Sequence, residues 1–395
     1  MSSAVRFQPR FATPGVLNSL DPELLRRFLR PHADWLKGSG IDLAEPLDLG
    51  SLSLLLMAGS GLPADLIESL CAIDELSKPA MYDGLLVCAR KAKVTLDGPV
   101  AGPDLAIRVM LADPALVQEL RVETASLRPK RIERYMAMTP EVPDPKPDIE
   151  KRIKKLEAAL DEEFQKRQRG RGARLYHYDE PRGFRLMVRR GDTLRSQPVI
   201  DDDAQTRRLL LRPELYDVVR YDRRHGDLLV NAKAKADVRA YCFFVGEHLF
   251  GDRFLFDPHL APKRYTLEPI REHGLAALTH ADIAGIEGVR LVLLQLAHPK
   301  DGDAKVTLDA NDVLASLSLL GGHISPEAVL KRAIFKIRLA GEERERRVTI
   351  TPPIGAVYER DDGGEAVEAF IENRGFLLPR EESLRGAPDT LFTLY

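Results

Sequence analysis

At 395 residues, with 44% hydrophobic and 30% charged residues and a net charge of −2, the chain has the composition of a folded protein of two to four domains, not of a disordered one. Its apolar runs, such as Leu54 to Ala58 and Ala240 to Val245, fall far short of the roughly 20 residues that cross a bilayer. The near-neutral total conceals an uneven distribution: residues 151–240 carry 23 Lys and Arg against 15 Asp and Glu, while residues 241–395 are net −6.

The N-terminus, Met1 to Phe7, lacks the basic region and continuous apolar core of a secretory signal, so a cytoplasmic protein is expected. Residues 16–138 then read as an all-α bundle of five or six helices, the expected protein-interaction domain (1–138). Asp21-Pro22 and Asp113-Pro114 pair a capping acid with proline in the first turn. Between them, Ser51 to Met57, Ala64 to Ile73 and Tyr82 to Lys91 carry helical apolar spacing.

Four prolines in Thr139 to Asp148 predict an extended, stiff linker and the clearest domain boundary. A charged helix follows (149–170), with Ile153, Leu156, Leu160 and Phe164 as one narrow apolar stripe suited to packing, to a short coiled coil or to a lever. Residues 171–265 read as a basic α+β unit. Strands are expected at Leu175 to Tyr178 and Phe184 to Val188, a hairpin at Tyr216 to Asp222 and Asp227 to Ala232, and a helix from Ala236 to Phe250 that ends at Gly251.

In residues 266–395 the expected order is an early helix (Leu267 to Leu278 or Ala281 to Ile286), a strand (Val289 to Leu296) and a helix (Ala310 to Leu320). A Gly321-Gly322 turn follows, then a helix opened by Ser325-Pro326-Glu327 and running to about Ala333. Strands Ile334 to Leu339 and Arg346 to Thr351 complete the unit. This order resembles a winged helix. The resemblance implies a second helix that enters the major groove and a hairpin that touches the backbone, which would present Lys331 and Arg332 on the helix and Lys336, Arg338, Arg344, Arg346 and Arg347 on the hairpin. The fold class expected overall is α+β and multidomain.

Three function classes follow from the motifs. Lys166, Arg167, Arg169, Arg171 and Arg174 fall within nine residues around glycines, and Arg189 and Arg190 extend the supply, which points to phosphate contacts with DNA or RNA. Tyr176, His177, Tyr178 and Phe184 are interleaved and suited to stacking on unpaired bases. The leading expectation is therefore a non-enzymatic nucleic-acid-binding or sensing subunit of a multi-component system. A protein-interaction scaffold is the alternative, because 41 arginines against 17 lysines is also what a GC-rich bacterial gene produces.

A divalent-metal nuclease is the third reading, drawn from Asp217, Asp222, Asp227, Lys233 and Lys235, although Asn231 stands where a carboxylate is needed. Neither catalytic residues, a cofactor nor a metal is expected. Asp201-Asp202-Asp203 reads as a solvated loop, and the nine histidines show no zinc spacing. Ala58-Gly59-Ser60-Gly61 is no phosphate loop, and no serine-hydrolase elbow occurs. Cys71, Cys88 and Cys242, odd in number and widely spaced, read as buried free thiols.

Overall fold

The computed structural model describes residues 10–58, 61–96, 98–126, 131–200, 205–297, 305–360 and 363–385. It confirms a mixed α+β chain, and it divides into two compact units. The first is Met1–Ala125 with Ile200–Thr206, and the second is Ser126–Val199 with Arg207–Tyr395. Among the described residues no helix is long and apolar enough to cross a membrane. Met1 to Phe7, Gly59-Ser60 and Asp201 to Asp203 lie outside the described residues.

The first unit is helical: α1 (Pro14–Leu17), α2 (Pro22–Leu29), α3 (Ala33–Gly38), α4 (Leu49–Ala58), α5 (Ala64–Leu76), α6 (Tyr82–Lys91), α7 (Gly102–Ala112) and α8 (Pro114–Ser126). The predicted start signals work as read. Asp21 accepts from the amides of Glu23 and Leu24 at 2.9 and 3.3 Å, and Asp113 accepts from the Ala115 amide at 3.0 Å. Leu52, Leu56, Leu66, Leu70, Ile73, Leu85, Leu105 and Ile107 close a single core.

The second unit contains β1 (Arg131–Met136), α9 (Ile149–Lys166), β2 (Arg174–Glu180), β3 (Gly183–Gly191), β4 (Arg195–Ile200), β5 (Thr206–Leu211), β6 (Glu214–Asp222), β7 (Asp227–Asn231) and α10 (Lys235–Val245). These are followed by α11 (Glu268–His273), β8 (Ile286–Ala297), β9 (Lys305–Asp309), α12 (Val313–Leu319), β10 (Val329–Leu339), β11 (Arg346–Thr351), β12 (Gly355–Val357), α13 (Gly364–Asn373) and α14 (Arg380–Arg385). Ten strands form one sheet in the order β2-β3-β6-β7-β1-β12-β11-β10-β8-β9, and β4 pairs with β5. Every pairing between neighbours in the large sheet is antiparallel.

The position of β1 explains where the units divide. It pairs with β7 on one side and β12 on the other, so residues read as the end of the helical domain are the centre of the sheet. The proline-rich stretch 139–148 lies inside the second unit and is irregular in structure. It is laid along the unit as a strap: the Lys146 amide bonds the Leu249 carbonyl at 2.8 Å, the Tyr221 hydroxyl donates to the Pro143 carbonyl, and Arg380 donates to the Thr139 and Glu141 carbonyls. Proline removes amides that would otherwise need partners, and those carbonyls still accept.

The unit has two cores on opposite faces of the one sheet. Over β2, β3, β6, β7 and β1, the residues Phe184, Leu186, Val188, Val219, Tyr221, Leu228, Val230 and Tyr135 meet α10 and the predicted α9 stripe of Ile153, Leu156, Leu160 and Phe164. Over the other half, Leu291, Leu294, Ala333, Phe335, Ile337, Val348, Ile350 and Ala356 meet α11, α12 and α13. Strand alternation makes these faces opposite. Glu133, two residues from Tyr135, is in register with Gly355, so Ala356 points the other way.

The winged-helix order is corrected at its decisive element. Residues 329–339, half of the expected recognition helix and the strand after it, are one long strand, β10. Ser325 does form its local hydrogen bonds, from the Ala328 amide to its carbonyl at 3.2 Å and from the Glu327 amide to its Oγ at 3.3 Å. They close a turn, because the same serine chemistry caps a helix or builds a turn, and alternation from Ala333 to Leu339 then imposes a strand. Lys331 and Arg332 are therefore strand residues.

Candidate nucleic-acid interface

Three of the arginines singled out in the sequence, Arg167, Arg169 and Arg190, are brought together, but around buried carboxylates. Arg190 is 2% exposed, and its Nε and Nη2 donate to Asp217 Oδ2 and Asp237 Oδ2 at 2.6 and 2.8 Å. Arg169 donates to the same Asp237 oxygen at 2.6 Å, and Arg167 reaches Asp237 Oδ1 at 3.4 Å and also pairs with Glu163. Tyr241 completes the group with a 2.7 Å bond to Asp217. Burial pushes the Asp217 carboxyl up, and the Arg190 charge pulls against it. Three guanidinium groups are thus committed to fastening α9, α10 and the sheet.

The remaining positions are dispersed. Arg174 pairs with Glu157 at 2.9 Å, Arg189 donates to the Gly172 carbonyl at 3.1 Å, and Arg346 pairs with Glu342. Lys166, Arg171, Lys331 and Arg332 are exposed. The proposed stacking set is split by the pleat: Phe184 belongs to the core, while Tyr176 and Tyr178 are in register with Met187 and Arg185 on the other face.

The carboxylates of the nuclease set are likewise committed elsewhere. Asp227 accepts from Arg134 and Arg264 at 3.1 Å, Asp222 binds His225 at 3.0 Å, and Asn231 donates to the Arg131 carbonyl. Among the described residues no group of three His, Cys, Asp or Glu side chains is placed to hold a metal ion.

A different cluster emerges where the helical cover of the sheet ends. α10 covers the sheet up to β1, whereas beyond β1 the helices pack on the opposite face, which leaves a step. A cavity of about 730 Å³ fills it. Its floor is Arg131, Glu133, Thr349, Thr351, Gly355, Val357 and Arg332. Its walls are Lys235, Val238 and Arg239 of α10, with His259 and the Pro352-Pro353-Ile354 turn. Lys235 and Arg239 are four residues apart, so one helical face delivers both.

This groove is basic and largely uncompensated. Among the described residues no carboxylate lies within ion-pair distance of Lys235, Arg239 or Arg332. The one acid in the lining, Glu133, is already occupied, for it accepts from Arg131 at 2.7 Å and from the Tyr135 hydroxyl at 2.7 Å. Burial and that bond to Glu133 push the Tyr135 phenol above its ordinary value. Cations without partners beside threonine hydroxyls and backbone have the charge and the donors to meet an anionic group.

Of this cluster the sequence points to Arg332 as a nucleic-acid contact and to Lys235 only as part of the nuclease set. The Lys235/Arg239 spacing was visible in the chain, but Arg131, His259 and Arg332 come from three distant segments. No protein-family model matches the chain, and no curated protein matches it.

Proposed function

We propose that this protein is a non-catalytic nucleic-acid-binding or sensing protein that holds a single strand of DNA or RNA by its phosphates in the groove beside α10. The observation that carries the reading is the set of unpaired cations Lys235, Arg239 and Arg332 lining one cavity whose only carboxylate is already bonded. A cavity of about 730 Å³ has the size of a cleft that encloses a small ligand or a short length of strand.

The test is a fluorescence-anisotropy titration of the full chain with labelled single strands and with a duplex of the same sequence at several salt concentrations. Contacts from Arg131, Lys235, Arg239 and Arg332 to four phosphates predict a slope of log K against log salt of about −3 for a single strand. Changing Arg239 and Arg332 together to Gln should bring that slope to about −1.4. Absence of binding at low salt, or binding indifferent to that double change, would overturn the proposal. Removal of Arg167, Arg169 and Arg171 should lower stability instead, since two of them hold Asp237.

A further inference from the structure

The open face of the sheet continues past the groove along β10. Alternation and register place Arg332, Lys336 and Arg338 of β10, Arg347 of β11 and Arg290 of β8 on this one face: Lys336 is opposite both Arg347 and Arg290. Glu345, in the turn that joins β10 to β11, reaches three of these cations at once. Arg290 Nη2 donates to both of its oxygens at 2.8 Å, Arg338 Nη2 lies 3.7 Å from Oε1, and Lys336 Nζ lies 4.0 Å from Oε2. The cations are well exposed, at 39%, 47% and 57% for the Arg290, Lys336 and Arg338 side chains. One carboxylate thus orders three cations and leaves two positive charges.

Resting on the reading of the groove, we infer that Arg290, Lys336 and Arg338 form a second phosphate subsite for the same strand, with Glu345 as the resident counter-anion that the strand's phosphates displace. A carboxylate with two oxygens shared among three cations occupies the position a phosphodiester would take, and both offer a pair of anionic acceptor oxygens to arginine and lysine. The carboxyl of Glu345 is held below its ordinary value chiefly by the Arg290 bond, so it stays ionised in this role near neutral pH.

The spacing suits a strand. At about 3.3 Å per residue, Lys336 and Arg338 lie roughly 13 and 20 Å along β10 from Arg332. Those distances are about four and about six nucleotides at a stacked spacing of roughly 3.4 Å, and fewer in an extended strand. The four internucleotide phosphates of a five-nucleotide strand are taken up by the four cations of the groove, so short strands should use the groove alone and longer ones should gain the subsite.

The experiment compares single strands of five and fifteen nucleotides on the wild type, on Lys336→Gln/Arg338→Gln and on Glu345→Gln, with thermal melts of each variant as a check on folding. The double change should reduce the salt slope for the fifteen-nucleotide strand by about 1.4 and leave the five-nucleotide strand unaffected. Glu345→Gln should tighten the long strand roughly threefold, the size of a surface charge interaction, without affecting the short one. If the long strand keeps its slope in the double variant while the short strand still binds, the subsite is refuted and the groove stands. If Glu345→Gln weakens the long strand, the counter-anion role is refuted. If neither strand binds the wild type at low salt, the groove fails and the subsite fails with it.

Discussion

Asp237 and Asp227 are each fully buried, and each is surrounded by guanidinium groups that a reading of composition assigns to the surface. Both carboxylates serve as fixed anchors, because a buried charge left without its partners costs about 3–5 kcal/mol. Asp222 belongs to the second of these networks and gives it a pH signature. Burial works against its charge, but the His225 bond and the Arg134 charge 3.5 Å away prevail and hold its pKa at about 2. An unfolded aspartate titrates near 3.9, so the stabilisation is complete above that value and is lost as pH falls through about 2. The expected loss is about 2 kcal/mol. Denaturant unfolding of the wild type between pH 5 and 2 should show it, and Asp222→Asn should flatten that part of the profile. An unchanged slope in the variant would show that other carboxylates dominate.

Among the elements, those whose periodicity and end signals agree were readable in advance. Tyr82–Lys91 and Arg346–Thr351 have the bounds that the spacing indicated, and the α9 stripe is buried along its whole length. An end signal misleads where the alternation after it disagrees, as Ser325-Pro326 shows against Asp21-Pro22 and Asp113-Pro114. A more local constraint operates at the start of β3, where Gly183 has φ +143° and a Cβ there would lie 2.1 Å from the Tyr221 carbonyl oxygen. Strain and close approach both require glycine, so Gly183→Ala should cost about 3 kcal/mol in equilibrium unfolding. A cost below about 1 kcal/mol would mean that the hairpin shifts to make room.

At the scale of the molecule, the second unit has two cores on one ten-stranded sheet, joined at β1 and β12. Leu156 and Phe335 belong to different cores and are both fully buried. Leu156→Ala should cost about 2–5 kcal/mol and Phe335→Ala about 3–5 kcal/mol, and both should lower the same cooperative transition. Hydrogen exchange resolved by segment would show the contrary result, in which each change loosens only its own half. The groove exists because of this arrangement. Helices cover opposite faces on the two sides of β1, and the step between them exposes Lys235 and Arg239 over Arg332.

By itself the sequence determined the α+β class, the helical character of the first unit, the stripe of α9 and most strands, since these depend on spacing and turn chemistry within a few residues. It also determined that arginine would be abundant, but not what arginine would do. Whether a guanidinium group meets a buried carboxylate, as at Arg190, or stays unpaired in a groove, as at Arg332, depends on residues tens to hundreds of positions away. Only the tertiary structure decided that, because charge acts through distance and burial, and strand order sets both.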